Sequence, residues 1–207
     1  GGSAPSGDAW VPGADSDARV EYGGCLRAAE YNRTEVNSAT PLSSAAASSV
    51  TVSWRFHGAQ GGDINVGFKM NSDILAQLKV KQLGAIEIFS LSGGSKSTTA
   101  SATVGDVLSV TYTFSSATAE FFANGGSLLQ RTEPLSAGAS LYAYATILNT
   151  GDEMCDLTLT EAPTITTSTT TTSTFSTTTT STTSKTATTT TTTATTSTSS
   201  TTETSTT

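Results

Sequence analysis

The 207-residue chain has one histidine, two cysteines, and no apolar run near the ~18 residues that a membrane-spanning helix needs. With His57 as the only imidazole, most Ser-His-Asp and Cys-His schemes are ruled out, and its place among the polar positions of its strand reads as an ordinary solvated residue. Lys and Arg are also scarce, 10 against 17 Asp and Glu, for a net charge of −7. An acidic chain disfavours nucleic acid and anionic membranes as partners. All of that charge falls in residues 1–163, because Lys185 and Glu203 cancel beyond it. No stretch shows helical periodicity. Cys25 and Cys155 are too far apart for a local metal motif or a redox pair. In a secreted protein they read as one disulfide joining the first and last strands, stabilising by ~5 kcal/mol in chain-entropy terms. Two separate buried thiols are the alternative.

What the chain has in excess is hydroxyl. Residues 164–207 hold 38 Ser or Thr in 44 positions, the exceptions being Ile165, Phe175, Lys185, Ala187, Ala194 and Glu203. So few apolar groups cannot offset the entropy of folding a core. Dense Ser/Thr after Pro163 reads as an O-glycosylated stalk, with Thr166, Thr167, Thr169, Thr170, Thr171, Thr172, Thr174, Thr177, Thr178, Thr179 and Thr180 as first acceptors. A solvated linker without sugar is the plainer alternative. Glycans on successive β-branched residues leave an extended path, on the order of 130 Å at a polyproline-like ~3.1 Å per residue. Asn32-Arg33-Thr34 is the one N-glycosylation sequon, in a polar segment before Pro41. The opening Gly1-Gly2-Ser3-Ala4 fits a mature product after signal cleavage and equally an arbitrary boundary.

The remaining ~160 residues suffice for one domain with a core. Their dominant period is two. Val50, Val52, Trp54 and Phe56 alternate with polar residues; so do Ile64, Val66, Phe68 and Met70, then Ile74, Ala76, Leu78 and Val80. Ile86 and Ile88 continue the series, followed by Leu108, Val110, Tyr112 and Phe114, by Leu141, Ala143, Ala145 and Ile147, and by Cys155, Leu157 and Leu159. Turns are expected at 58–63, Gly93-Gly94, Gly105-Asp106, Asn124-Gly125-Gly126 and Gly151-Asp152. Asn124-Gly125 is a hairpin signal because both residues tolerate positive φ. The run from Ser43 to Ser49 reads as a loop or a further O-glycan acceptor. Roughly ten short strands at this spacing predict an all-β antiparallel sandwich. The expected organisation is an arm at 1–9, the sandwich at 10–162 and the Thr/Ser-rich tail at 163–207.

Several of these segments carry a resemblance. Val104-Gly105-Asp106-Val107-Leu108-Ser109-Val110, then Glu120-Phe121-Phe122-Ala123-Asn124-Gly125, then Pro134-Leu135 and Ala139-Ser140-Leu141-Tyr142 are similar, in this order, to the C-terminal half of concanavalin A-like (SPRY-like) jelly rolls. Trp54, Val66-Gly67-Phe68 and Ile86-Glu87-Ile88-Phe89 agree with it. The resemblance covers about residues 10–160 and implies a jelly-roll fold. Phe121-Phe122 stands where the family often has Tyr.

Sandwich glucanases resembling this family carry two or three carboxylates on one strand, since retaining hydrolysis needs an acid and a nucleophile ~5 Å apart. Here Glu87 and Glu120 stand alone on their strands, so no hydrolase activity, cofactor or tightly bound metal is expected. Asp152, Glu153 and Asp156 form either a Ca²⁺ cluster or, preferably, a solvated acidic turn. Tyr142 and Tyr144, both outward by parity, are candidates to stack on sugar or to pack in an interface. Two readings follow. In the first, the chain is a structural subunit of an extracellular or cell-surface glycoprotein fibre or coat, self-associating head to tail; a tail that ends at Thr207 without an anchor favours it. In the second, it is a lectin-like module on a glycosylated stalk, in contact with extracellular polysaccharide.

Overall fold

Alternating strands bury one face each, and two such sheets can close a core only by stacking face to face. The computed structural model, which describes residues 10–12, 19–21, 25–27, 34–58, 63–149 and 152–164, takes this solution. Its strands are β1 (Trp10–Pro12), β2 (Arg19–Glu21), β3 (Cys25–Arg27), β4 (Thr34–Ser38), β5 (Ala47–Phe56), β6 (Ile64–Met70) and β7 (Asp73–Val80). They continue with β8 (Ala85–Ser90), β9 (Gly94–Ser101), β10 (Val107–Thr113), β11 (Thr118–Ala123), β12 (Gly126–Thr132), β13 (Leu141–Ile147) and β14 (Glu153–Pro163). The first sheet has the order β1-β4-β13-β6-β7-β8-β9 and the second β12-β11-β10-β5-β14-β3-β2, with every pairing antiparallel. A single 3₁₀ turn, Gln82–Gly84, is the only helical element among the described residues, and none of their helices could cross a membrane.

The core lies between the sheets. Val50, Val52, Trp54 and Phe56 meet Leu108, Val110 and Tyr112 from the second sheet and Ile64, Val66, Phe68, Leu78, Ile88, Leu141 and Ile147 from the first, all buried. Each such aliphatic side chain stabilises by roughly 1.5–3 kcal/mol relative to exposure. Strands outnumber the roughly ten expected. The polar edge strand β9 carries no apolar alternation by which to recognise it. The Ser43 to Ser49 run is not a loop throughout, because residues from Ala47 on already belong to β5, with Ala47 buried.

Two bulges correct the parity read from sequence. The register of β6 against β7 shifts after Phe68, so Ile74 pairs with Lys69 on the outer face while Leu75 takes the inner position. In β14 the register against β5 shifts between Cys155 and Thr158, and Asp156 adopts φ 52°. Cys155 therefore faces outward beside Arg55, whereas Met154 and Leu157 face the core. Cys155 lies directly opposite Cys25 and is bonded to it, which ties the third strand, not the first, to the last. The expected acidic turn also comes apart. Asp152 is buried where the chain crosses from one sheet to the other, Glu153 opens β14, and Asp156 pairs with Arg55 at 3.0 Å.

The motifs behind the resemblance meet in space. Asn124 and Gly125 adopt φ 50° and 77° in the β11–β12 hairpin. Asn124 Nδ2 donates to Asp106 Oδ1 at 2.8 Å, Asp106 Oδ2 accepts from Thr103 N–H at 2.7 Å, and Val107 N–H donates to Asn124 Oδ1 at 2.9 Å. These bonds hold the Asp106 carboxyl below its usual range, the Asn124 bond most of all. At the β8–β9 turn, the buried Glu133, which follows β12, accepts from Ser92 N–H at 3.0 Å and Ser92 Oγ at 2.5 Å, clasping the two sheets together.

The arm at 1–9, the sequon Asn32 and every threonine expected to carry sugar, Thr166 to Thr180, lie outside the described residues.

Candidate functional site

The outer face of the first sheet is built from the polar half of each alternation: Glu35 and Asn37 on β4, Tyr142, Tyr144 and Thr146 on β13, Asn65 and Lys69 on β6, Gln77 and Lys79 on β7, Glu87 and Phe89 on β8. At its centre is Gly67, with Tyr144 opposite on one side and Gln77 on the other. A Cβ at Gly67 would come within 2.0 Å of the Ala76 carbonyl oxygen. With only hydrogen there, the Tyr144 hydroxyl reaches across β6 to donate to Gln77 Oε1 at 2.5 Å, and Gln77 Nε2 donates to Asn65 Oδ1 at 2.9 Å.

Lys69 covers this floor. Its Nζ stands 4.7 Å from the Tyr144 ring centroid and 2.5 Å from Glu35 Oε1. Glu35 also accepts from Asn37 Nδ2 at 3.1 Å and Thr146 Oγ1 at 3.5 Å. Toward β8, Lys79 pairs with Asp63 at 2.6 Å and Lys81 with Glu87. The hydrogen bond from Lys81 pulls the Glu87 carboxyl below its usual range and raises Lys81 in turn.

Above this floor lie two depressions. The larger, about 630 Å³, is bounded by Val11, Asn37, Lys69, Asn71, Ile74 and Tyr142. The smaller, about 210 Å³, lies among Ile74, Gln77, Lys79, Glu87, Phe89 and Ser95. Ile74, turned outward by the bulge, belongs to both. A volume of this size is in the range of small-molecule sites.

The two tyrosines expected to act together are separated. Tyr142 is half-buried on the wall of the larger depression, where a ligand can reach it. Tyr144 is 1% exposed beneath Lys69, so its ring cannot stack on a sugar. Glu87 and Glu120 stand on different sheets, each with its own partner, Lys81 and Ser127. The group Cys25, Glu153 and Cys155 comes close enough to hold a metal, but its sulfurs are joined to each other and offer no thiolate. His57 is exposed just past β5. Glu35, Asn37, Lys69, Ile74, Gln77 and Phe89 were not singled out from sequence; their outward parity was visible for Lys69, Gln77 and Phe89, but not which strands are neighbours.

A carbohydrate recognition domain, that of Emp47p, superposes on 76% of this chain and 90% of its own length at 14% identity, with a TM-score of 0.52. The fold is a concanavalin A-like jelly roll. The carbohydrate binding module CBM66 from Bacillus subtilis shares it over 74% of this chain and 96% of its own, at 10% identity and a TM-score of 0.50. A chain described as a sialidase matches with a TM-score of 0.54 and 10% identity over 74% of this chain, but this jelly roll spans only 17% of the sialidase's length. No family model and no curated protein sequence matches the chain.

Proposed function

We propose that this jelly roll is a non-catalytic carbohydrate-binding domain, extracellular or cell-surface, whose site is the depression on the outer face of the first sheet. One observation carries the reading: a 630 Å³ depression with a half-buried tyrosine on its wall and, beside it, Lys69 and Glu35 held to each other, with Lys69 seated over the Tyr144 ring. Sugars are recognised by an aromatic face against their C–H groups and by fixed donors and acceptors for their hydroxyls. Tyr142 offers the first, and Asn37, Asn71 and Lys69 the second. The two neighbours named for carbohydrate recognition and binding support the same reading. The absence of catalysis rests on the carboxylates. A general acid needs a raised pKa, yet Glu87 is lowered and Glu35 is tied to Lys69.

The test is retention on a panel of immobilised glycans, wild type against Tyr142→Ala, with melting curves to show that both are folded. Retention of the wild type and its loss by about tenfold in the variant is expected. Equal retention of the two, or none by either, overturns the assignment.

The Thr/Ser-rich segment favours a second feature, a tail O-glycosylated at Thr166 to Thr180 and beyond, with an N-glycan at Asn32. An intact mass well above the 21.0 kDa of the polypeptide is expected for native material. Assembly of such chains into a fibre or coat has its support in the composition of 163–207 alone, and images of native material showing only single particles would dismiss it.

A further inference from the structure

The two depressions contain four charged side chains, Glu35, Lys69, Lys79 and Glu87, and each is already in an ion pair. The Lys69 and Glu35 side chains are 13% exposed each, and Glu35 has its further donors in Asn37 and Thr146. An anionic ligand would have to draw Lys69 away and leave a half-buried carboxylate without its cation, a costly exchange in a partly dry site. A polyol adds hydroxyls to the same groups without separating any pair. Although the chain is acidic overall, this face selects by neutrality.

Three apolar contacts cross the face: Tyr142 on β13, Ile74 on β7 and Phe89 on β8, all half-buried. Tyr142 pairs with Lys69, and Lys69 with Ile74; Phe89 pairs with Gln77, in line with Tyr144. From Tyr142 to Phe89 is therefore three strand spacings and one side-chain step along a strand, on the order of 16 Å, several times the length of one pyranose ring.

Building on the carbohydrate-binding reading, we infer that the site takes an uncharged linear glycan laid across the strands, about four units long, with Tyr142 and Phe89 as its outer stacking positions and Ile74 between them. Acidic sugars are excluded by the closed ion pairs.

Calorimetric titration with cello-, manno- and xylo-oligosaccharides of one to six units, and with oligogalacturonides of the same lengths, tests this. Affinity for one neutral series should climb by about tenfold between two and four units and then level off, with the uronates at least about tenfold weaker. It should be insensitive to salt, since no net charge is exchanged. Phe89→Ala should weaken the four-unit ligand and leave the two-unit ligand unchanged, while Tyr142→Ala weakens both. A plateau at one or two units, a preference for uronates, or equal loss of both lengths in Phe89→Ala overturns this inference and leaves the carbohydrate-binding reading standing. No binding by any series overturns both.

Discussion

The two outer faces of the sandwich descend from the same alternation of apolar and polar residues, yet they are finished differently. The centre of the second sheet's face is a ladder of short hydroxyls, Thr51 with Thr111 at 2.8 Å and Ser53 with Thr158 at 2.7 Å, joined among the described residues by the ion pair of Arg55 with Asp156, whose side chains are 44% and 38% exposed. Water screens that pair. On the first sheet, Lys69 and Glu35 are pressed between a tyrosine and their neighbours, and the Tyr144 hydroxyl and Gln77 amide bond beneath them. Short side chains repeated across β5, β10 and β14 give an even surface there, whereas long ones around a glycine leave hollows. The difference is one between a solvated wall and a preorganised floor.

The largest effect should come from the second sheet. Replacing Cys25 and Cys155 together by Ser is expected to lower unfolding free energy by roughly 2–5 kcal/mol in denaturant titrations. Glycan binding below the melting transition should persist, because the disulfide is on the sheet away from the depressions; its loss would show that the two faces are not independent. Next come the two ion pairs. Lys69→Met leaves Glu35 without its cation in a partly dry place and should cost roughly 3 kcal/mol. Arg55→Met should cost less than about 1 kcal/mol. Equal costs would erase the contrast drawn here.

Gly67→Ala should destabilise by roughly 1–3 kcal/mol through the contact of its Cβ with the Ala76 carbonyl, and should weaken glycan binding even where the fold survives. The smallest effect concerns Asp106, in the turn just before β10. Its folded pKa is lowered, so the stability it supplies is present above the ordinary 3.8 and is lost as pH falls through the folded value. Melting curves followed into acid should show Asp106→Asn less stable than wild type at neutral pH, with the gap narrowing below 3.8.

The strands that bury one whole face were legible, because Val50 to Phe56 and Leu108 to Tyr112 hold their parity along the ordered length. The Gly105-Asp106 and Asn124-Gly125 motifs were legible as signatures, and the structure supplies the reason in the bond between their side chains. The bulge after Cys155 had a trace in the sequence, because Leu26 rather than Cys25 reads as inward and so implies a bulge or strand edge at the disulfide. The bulge in β7 had none. Leu75, the extra residue opposite the step from Phe68 to Lys69, turned Ile74 from the core to the groove with no local residue type announcing it. Nor could Tyr144 be told from Tyr142. Its burial depends on Lys69 beside it and on the room that Gly67 leaves, residues more than 70 positions earlier in the chain that only the sheet order makes neighbours.

The position of β14 has a mechanical side. This strand, through which the chain runs on to residue 164, is interior to its sheet, held by β5 along most of its length and by β3 at its start. Antiparallel ladder bonds lie across the strand axis. A lengthwise pull at residue 164 therefore loads many of them at once in shear instead of opening them one after another. The Cys25–Cys155 bond, beyond most of that ladder, takes the strain that remains and passes it to β3. A domain tethered from that end would meet a pull with its whole second sheet.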